Sequence, residues 1–318
     1  MTTIQLHPAD PERDFAQIAA LLTTYNDEIT SEAELKQEYA QDRDRIHQQG
    51  AYDENGTLMG FYWTFNSRLE EGRVYANLVV KPEFRHTGVG HLLSKDMEDS
   101  LSVTPVKKLR LTVLDTNPEY RAFAERRGYT ALQHLIGMEL NLKNFDERPY
   151  VEIIEALKAK GFQFTSMEGL GNTEEAQRKL YELNDTAASE TAGSDGEHPW
   201  TSFEDFQKRV CQAGWYIPGG QIVVIDSTTG NWAAMSAITR YQDQGYAYNL
   251  FTGVNWSYRG RRLAQAVKAA ALIYARDAWK VRTVRTHHNS ENEPMIHIDR
   301  KFGYTDLPGH YTMEKVFK

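Results

Sequence analysis

Arg85, Gly88 and Gly90 form an Arg-x-x-Gly-x-Gly pattern between an apolar run that ends at Pro82 and a helical pattern that begins near Leu92. The first backbone N–H groups of a helix have no partner within it, and the helix dipole adds positive potential there. Glycine lets a bulky anion approach the backbone, and arginine adds positive charge. The pattern therefore predicts a phosphate-binding loop, although an ordinary strand-to-helix turn can carry the same short motif.

A similar arrangement occurs in the second half of the chain. Residues 259–264 read Arg-Gly-Arg-Arg-Leu-Ala and are followed by apolar residues at helical spacing. Arg85 and Arg259 are separated by 174 positions, and Gly128 and Gly303, each followed by a tyrosine, are separated by 175. Two landmarks that keep their separation to within one residue indicate a duplicated domain.

These residues resemble the GNAT superfamily of N-acetyltransferases. The first loop has the complete family pattern, whereas the second has Arg259 and Ala264 but carries Arg262 where the family usually has glycine. The resemblance implies an α/β fold, of the α+β mixed-sheet kind. It would consist of two tandem GNAT domains, each a mostly antiparallel sheet with a splayed central strand pair flanked by helices.

The domain boundary is expected near residue 148. Residues 143–150 are charged, contain Pro149 and lack apolar periodicity, as is typical of a linker. We therefore predict an N-terminal GNAT domain at residues 1–148 and a C-terminal GNAT domain at residues 149–318. The apolar residues 135–142 are predicted to form the closing strand of the first domain.

The resemblance also implies a cofactor, acetyl-CoA (coenzyme A), with its pantetheine arm paired to the strand before the loop. In the first half the coenzyme-binding residues predicted in this way are Leu78, Val79, Val80, Arg85, His86, Thr87, Gly88, Val89, Gly90 and Asn117. In the second half they are Thr252, Gly253, Val254, Arg259, Gly260, Arg261, Arg262, Leu263, Ala264, Asn289, Asn292 and Met295.

Acetyl transfer to an amine requires proton handling, because an alkyl ammonium must lose a proton before its nitrogen can attack. Family members often have a carboxylate about eleven positions before the loop and a tyrosine four positions before the later glycine. These positions are Val74 and Ala124 in the first half, and Tyr248 and Asp299 in the second. We predict that Tyr248 and Asn249 are catalytic, although a half-buried strand tyrosine would look the same in the sequence.

The resemblance thus implies an acetyl-CoA-dependent N-acetyltransferase that acts on a primary amine of a small molecule or peptide by direct attack. We favour the C-terminal half as catalytic and the N-terminal half as binding or structural. The alternative is a non-catalytic acyl-CoA or amine sensor, which the missing carboxylate and tyrosine favour.

Segments that flank the loops are the expected acceptor contacts. Tyr25, Asn26 and Glu28 are possible contacts in the first half, although solvated surface is the simpler interpretation. In the second half, residues 184–199 are rich in Ser, Thr, Gly and acidic residues. They are expected either to cover the acceptor site or to form a mobile surface loop. The candidate contacts of this lid are Glu190, Asp195, Glu197 and Trp200.

Amino-acid composition argues against several other classes of protein and site. The chain has 318 residues, of which 41% are hydrophobic and 25% are charged, a net charge of −8 and one cysteine, Cys211. The acidic balance disfavours nucleic acid, and the apolar runs are too short to span a membrane. A single cysteine excludes an internal disulfide and favours the cytoplasm. His287 and His288 point in opposite directions on an extended segment, so no metal site is predicted.

Overall fold

A computed structural model describes residues 3–26, 30–43, 46–67, 70–191, 194, 196–240 and 245–317. None of the helices in these ranges combines the length and the apolar composition that a membrane-spanning segment requires. The chain divides into two compact units. The first unit comprises Met1–His134 and His310–Lys318, and the second comprises Leu135–Gly309.

The helices and strands follow the same order in the two halves of the chain, apart from one additional helix, α5 (Arg148–Lys158), at the start of the second half. The strands are β1 (Gln5–His7), β2 (Ile46–Tyr52), β3 (Leu58–Asn66), β4 (Arg73–Val80), β5 (Lys108–Leu114), β6 (Thr130–Asn141), β7 (Phe162–Ser166), β8 (Gln221–Asp226), β9 (Trp232–Arg240), β10 (Ala247–Val254), β11 (Thr283–Asn289) and β12 (Thr305–Val316). The helices are α1 (Phe15–Asn26), α2 (Glu32–Asp42), α3 (Val89–Ser102), α4 (Pro118–Glu125), α5 (Arg148–Lys158), α6 (Glu174–Ser189), α7 (Phe203–Phe206), α8 (Leu263–Trp279) and α9 (Glu293–Phe302).

The sheet of the first unit is antiparallel from β1 to β4. Strand β4 then runs parallel to β5, but only residues 73–76 pair with residues 108–111. Beyond this point β4 and β5 no longer pair with each other. The space between residues 77–80 and 112–114 is called the first gap. The last strand of this sheet is the end of β12, because residues 310–316 pair antiparallel with β5.

The second unit repeats this plan. Strands β7, β8, β9 and β10 are antiparallel neighbours, and β10 runs parallel to β11. Only Ala247 and Tyr248 pair with Val284 and Arg285. The strands then part to form the second gap, between residues 249–254 and 286–289. Residues 135–141 of β6 complete this sheet at the other edge of β11. Both splayed pairs confirm the predicted fold class.

The strand that closes each sheet comes from the other half of the chain. We expected residues 135–142 to close the first half, but residues 135–141 pair with β11 in the second unit, so that expectation is wrong. The strand that closes the first unit comes from the C-terminal end of the chain. The period-2 pattern of a strand specifies which face is buried but not which neighbour it pairs with. The boundary near residue 148 stays a prediction about the repeated halves of the sequence.

Candidate active site

A cavity of about 580 Å³ lies at the first gap. Its walls combine the end of β4, the middle of β5, the loop before α3 and one side of α4. Of the coenzyme residues predicted from the sequence, those on the cavity wall are Leu78, Val79, Val80, Arg85, His86, Gly88 and Gly90. The structure therefore brings these residues together around one space, large enough for an extended small-molecule arm.

The loop before α3 has the backbone conformation of an anion cradle. His86 has φ 62° and Gly88 has φ 96°, so two left-handed residues alternate with two ordinary ones. Gly88 is the N-cap of α3, which begins at Val89. Successive N–H groups in such a turn converge on one point and attract an anion. Arg126 and Arg127 of the region after α4 also line the cavity and add positive charge to it.

Three side chains of the first unit meet across the first gap. The Tyr25 hydroxyl donates to the carbonyl oxygen of Thr112 at 3.0 Å. The Tyr25 ring lies 5.9 Å from that of Tyr120, and the Arg85 guanidinium lies 5.3 Å from the Tyr120 ring centre. Burial raises the pKa of Tyr25 to about 12, so its hydroxyl keeps its proton at neutral pH. Glu28 and the side chain of Asn26 lie outside the described residues.

The remaining predicted coenzyme residues of the first unit have other contacts. The Thr87 hydroxyl donates to the carbonyl oxygen of Phe84 at 2.7 Å, and Val89 is completely buried in the core beneath α3. Asn117 is the N-cap residue of α4. The cavity is also lined by Phe123, Arg127 and His91, a role that no sequence pattern indicated. Their placement around one cavity depends on how distant segments of the chain pack together.

The second loop adopts the same backbone shape, although Arg262 stands in the position of Gly88. Gly260 has φ 77° and Arg262 has φ 63°, at positions that correspond to His86 and Gly88. Arg262 is the N-cap of α8. The Arg259 Nε atom donates to the carbonyl oxygen of Val254 at 3.3 Å, as Arg85 Nε does to Val80 at 3.3 Å. The backbone shape of the cradle is therefore kept although Arg262 replaces the usual glycine.

The second cradle contacts the predicted lid. An Arg259 guanidinium nitrogen lies 2.6 Å from Glu190 Oε2, so this lid carboxylate is bound to the loop. The Trp200 indole N–H donates to Asn184 Oδ1 at 2.8 Å. Asp195 lies outside the described residues.

Tyr248 occupies the last β10–β11 pair, where the second gap opens. Its hydroxyl oxygen lies 2.5 Å from His287 Nδ1, and the two rings are nearly parallel with centres 5.8 Å apart. A phenol and an imidazole at this distance form a hydrogen bond, along which a proton can pass between a ligand and solvent. The sequence pointed to Tyr248, but not to His287 as its partner.

Asn249 is buried beside Tyr248 and faces the opposite side of the sheet. Its amide nitrogen donates to Ser236 Oγ at 3.0 Å and to the carbonyl oxygen of Ala237 at 2.9 Å. Its amide oxygen accepts from Thr252 Oγ1 at 3.3 Å. The register between β10 and β9 shifts between Asn249 and Phe251, so the ladder skips Leu250. Asn249 therefore holds the strand at this bulge.

The other predicted residues of the second unit lie around the gap. Leu263 is buried at the start of α8, and Asn289 Oδ1 accepts from the backbone of Glu291 at 2.9 Å. Asn292 is the N-cap residue of α9, whose first turn contains Met295. A Cβ atom on Gly253 would lie 2.8 Å from Ala187 Cβ, so α6 packs closely on β10 there.

Comparison with known proteins shows similarity to acetyltransferases. The family model described as Acetyltransferase (GNAT) domain matches residues 13–137. Mycothiol acetyltransferase of Geodermatophilus obscurus is 24% identical over 283 residues, which cover 87% of this chain and 84% of that protein.

Two solved structures share the fold along nearly the whole chain. A GCN5-related N-acetyltransferase from Sphaerobacter thermophilus has a TM-score of 0.71 and 16% identity, and the match covers 98% of this chain and 95% of that one. A tandem GNAT protein from the clavulanic acid biosynthesis pathway has a TM-score of 0.72 and 17% identity, with 99% and 98% covered. Residues 13–137 thus match a GNAT acetyltransferase domain, and the chain as a whole, with its two cradles and two splayed strand pairs, has the fold of these solved GNAT proteins.

Proposed function

We propose that the protein transfers an acetyl group from acetyl-CoA to a primary amine of a small molecule or peptide, and that the second unit carries out the reaction. The observation that carries this proposal is the contact between Tyr248 and His287 at the opening of the second gap. Beyond Leu111, the end of β5 carries no titratable side chain at the first gap, so the first unit has no equivalent pair on this strand.

Both cradles have the shape to hold the diphosphate of coenzyme A. In the first unit the cavity wall beyond the cradle is lined by the backbone of β4 and by Tyr120 and Phe123, which suits a pantetheine arm. In the second unit Asn292 would hold pantetheine amides through its donor and acceptor groups. When bound, acetyl-CoA supplies the thioester whose acetyl group is transferred.

The Tyr248–His287 pair would remove the proton of the attacking ammonium group. An alkyl ammonium has a pKa near 10.4, so the proton must leave before or during attack, and a neutral imidazole can accept it through the tyrosine hydroxyl or directly. Such a positioned base typically contributes about 10²–10⁴-fold to the rate.

The bulge at Leu250 would supply the second requirement, a donor for the thioester oxygen. A β-bulge redirects backbone groups away from the ladder, and a fixed N–H group beside the reacting carbonyl stabilises the negative charge that develops there. The corresponding strand of the first unit, β4, pairs with β3 without a register shift. Asn249 would act here by holding the bulge in place.

The proposal is tested by measuring free-thiol release from acetyl-CoA with a panel of sugar amines, polyamines, amino acids and peptides. Acetylated product is identified by mass spectrometry. We expect Tyr248→Phe to lower kcat by about 10²-fold because the proton relay is lost. Asn292→Ala should also lower the rate more than Arg85→Ala. Tyr75→Phe on β4 is the matched control and should change the rate little.

Two results would contradict this proposal. If Arg85→Ala alone abolishes turnover while Tyr248→Phe has wild-type activity, then the first unit, with its 580 Å³ cavity, is the catalytic one. If no amine in the panel yields acetylated product, the proposed acceptor class is wrong.

A further inference from the structure

Three ionisable side chains meet in the interior of the second unit, apart from the Tyr248–His287 pair. Lys268 of α8 and Asp299 of α9 are both completely buried, and Lys268 Nζ lies 2.5 Å from Asp299 Oδ1. The other carboxylate oxygen, Oδ2, lies 2.6 Å from His288 Nε2. The His288 side chain is 10% exposed, so this chain of charges begins in the core and ends at a partly accessible imidazole.

The network holds Asp299 as a carboxylate. Burial by itself raises the pKa of Asp299, but the positive charge of Lys268 and the hydrogen bond from His288 lower it below its ordinary value. The Tyr304 ring, 5.2 Å from Lys268 Nζ, closes the other side of the ammonium group. Taking a lysine and an aspartate out of water costs several kcal/mol per ion, so a buried pair is poor evidence of a purely stabilising role.

The position of His288 in the strand brings the imidazole to the second gap. Strand β11 last pairs with β10 at Arg285, and His288 follows three residues later while still paired with β6. Successive side chains on a strand point to opposite faces. His287 therefore lies on the Tyr248 face, and His288 lies on the face that α8 and α9 cover. The two histidines therefore lie on opposite faces of the sheet at the second gap.

We propose that His288, oriented by Asp299 and Lys268, is the acid that protonates the departing thiol sulfur in the second unit. This proposal rests on the proposed function, since it assigns a second proton carrier to the same reaction. A protonated imidazole has N–H groups on both nitrogens. Nε2–H is directed to Asp299, which leaves Nδ1–H as the group that donates to sulfur.

The proton inventory of the reaction balances with two histidines. The ammonium group first loses one proton through the Tyr248–His287 pair, which passes it to water. The neutral amine then uses its lone pair to form the carbon–nitrogen bond, and the carbon–sulfur bond breaks with its electron pair on sulfur. His288 Nδ1 gives that sulfur a proton, and the Tyr248–His287 pair takes the second proton from nitrogen. The products are the amide, the free thiol and one proton released to water, and both histidines regain their starting states by exchange with water.

The first test compares His288→Gln with wild type in the thiol-release assay. A glutamine amide can still donate to Asp299 but cannot deliver a proton. We expect kcat to fall by about 10²-fold with little change in KM for acetyl-CoA. In His288→Ala, added imidazole should restore part of kcat. His297→Gln, on the exposed side of α9, is the matched control and should retain wild-type kcat.

The second test does not depend on turnover. In ¹⁵N-histidine NMR spectra of the wild-type protein, the neutral His288 ring should carry its proton on Nε2, because Asp299 accepts it. In Asp299→Asn the amide oxygen would turn toward Lys268 and the amide nitrogen toward His288, so the proton should move to Nδ1. The His288 signal is identified by its loss in His288→Gln.

The outcomes separate this proposal from the proposed function. If wild-type protein acetylates an amine and depends on Tyr248, but His288→Gln retains kcat, then only the acid assignment is overturned. If the wild-type His288 ring carries its proton on Nδ1, the assignment is overturned whether or not the variants fold. If wild-type protein shows no turnover at all, both proposals are overturned.

Discussion

Lys268 shows how strongly one buried charge depends on its partner. Both Lys268 and Asp299 have no exposed side-chain surface, and burial lowers the pKa of Lys268, although Asp299 partly offsets the shift. We expect Lys268→Met to destabilise the protein by about 3 kcal/mol, because the substitution leaves a buried carboxylate without its main counter-charge. Urea unfolding at neutral pH measures the change.

A surface pair gives the matched control for that substitution. Lys179 and Glu175 are one helical turn apart on α6, with side chains 45% and 81% exposed. Lys179→Met should change the unfolding free energy by less than about 0.5 kcal/mol, because water and salt screen such pairs. Equal effects of the two substitutions would show that the buried network has no special energetic role.

At the scale of elements, the two cradles differ in one strained residue. Gly88 and Arg262 both cap a helix in a left-handed conformation, which costs a residue with a Cβ atom about 1–2 kcal/mol and glycine almost nothing. Gly88→Ala should therefore destabilise the first unit by about 1 kcal/mol. Arg262→Gly should stabilise the second unit by up to about 1 kcal/mol, and thermal unfolding of both variants tests the two signs.

The control for the cradle prediction is a glycine that keeps a negative φ. Gly90 follows Gly88 inside the first turn of α3, and a Cβ atom there would lie 3.5 Å from Phe123, an ordinary contact. Gly90→Ala should be neutral or slightly stabilising, because alanine is the better helix former. If Arg262→Gly lowers the unfolding temperature, Arg262 makes a contact that outweighs its backbone strain.

At the scale of the whole molecule, the exchanged strands link the stability of each unit to residues from the other half of the sequence. Met313 of β12 is completely buried in the core of the first unit, which also contains Leu93 and Met97. Glu314 forms an ion pair with Arg110 at 2.8 Å. Met138 of β6 is equally buried in the core of the second unit.

Two matched core substitutions test this exchange. Met313→Ala and Met138→Ala should each destabilise their own unit by about 2–5 kcal/mol through lost burial and cavity formation. Hydrogen exchange followed by mass spectrometry should show Met313→Ala raising exchange in β4 and β5, and Met138→Ala raising it in β10 and β11. If Met313→Ala instead affects mainly β10 and β11, the strand assignment is wrong.

Local sequence determined the parts of this protein that depend on neighbouring residues. The two loops before α3 and α8, the helices that follow them and the duplication could be predicted directly, because Arg85, Gly88 and Arg259 mark backbone conformations set within a few residues. The distance of Tyr248 from the loop marked it as a candidate, and its catalytic role stays a prediction. The family pattern then implied the splayed strands, which the pairing of β4 with β5 confirms.

Tertiary structure decided which distant segments meet. Residues 135–141 and 310–316 have strand patterns that fit either sheet, and only packing of the whole chain selects β11 for one and β5 for the other. The same holds for the contacts of His287 with Tyr248 and of His288 with Asp299, which join residues 39 and 11 positions apart. A sequence pattern specifies the face of an element, whereas the partner on that face depends on long-range packing.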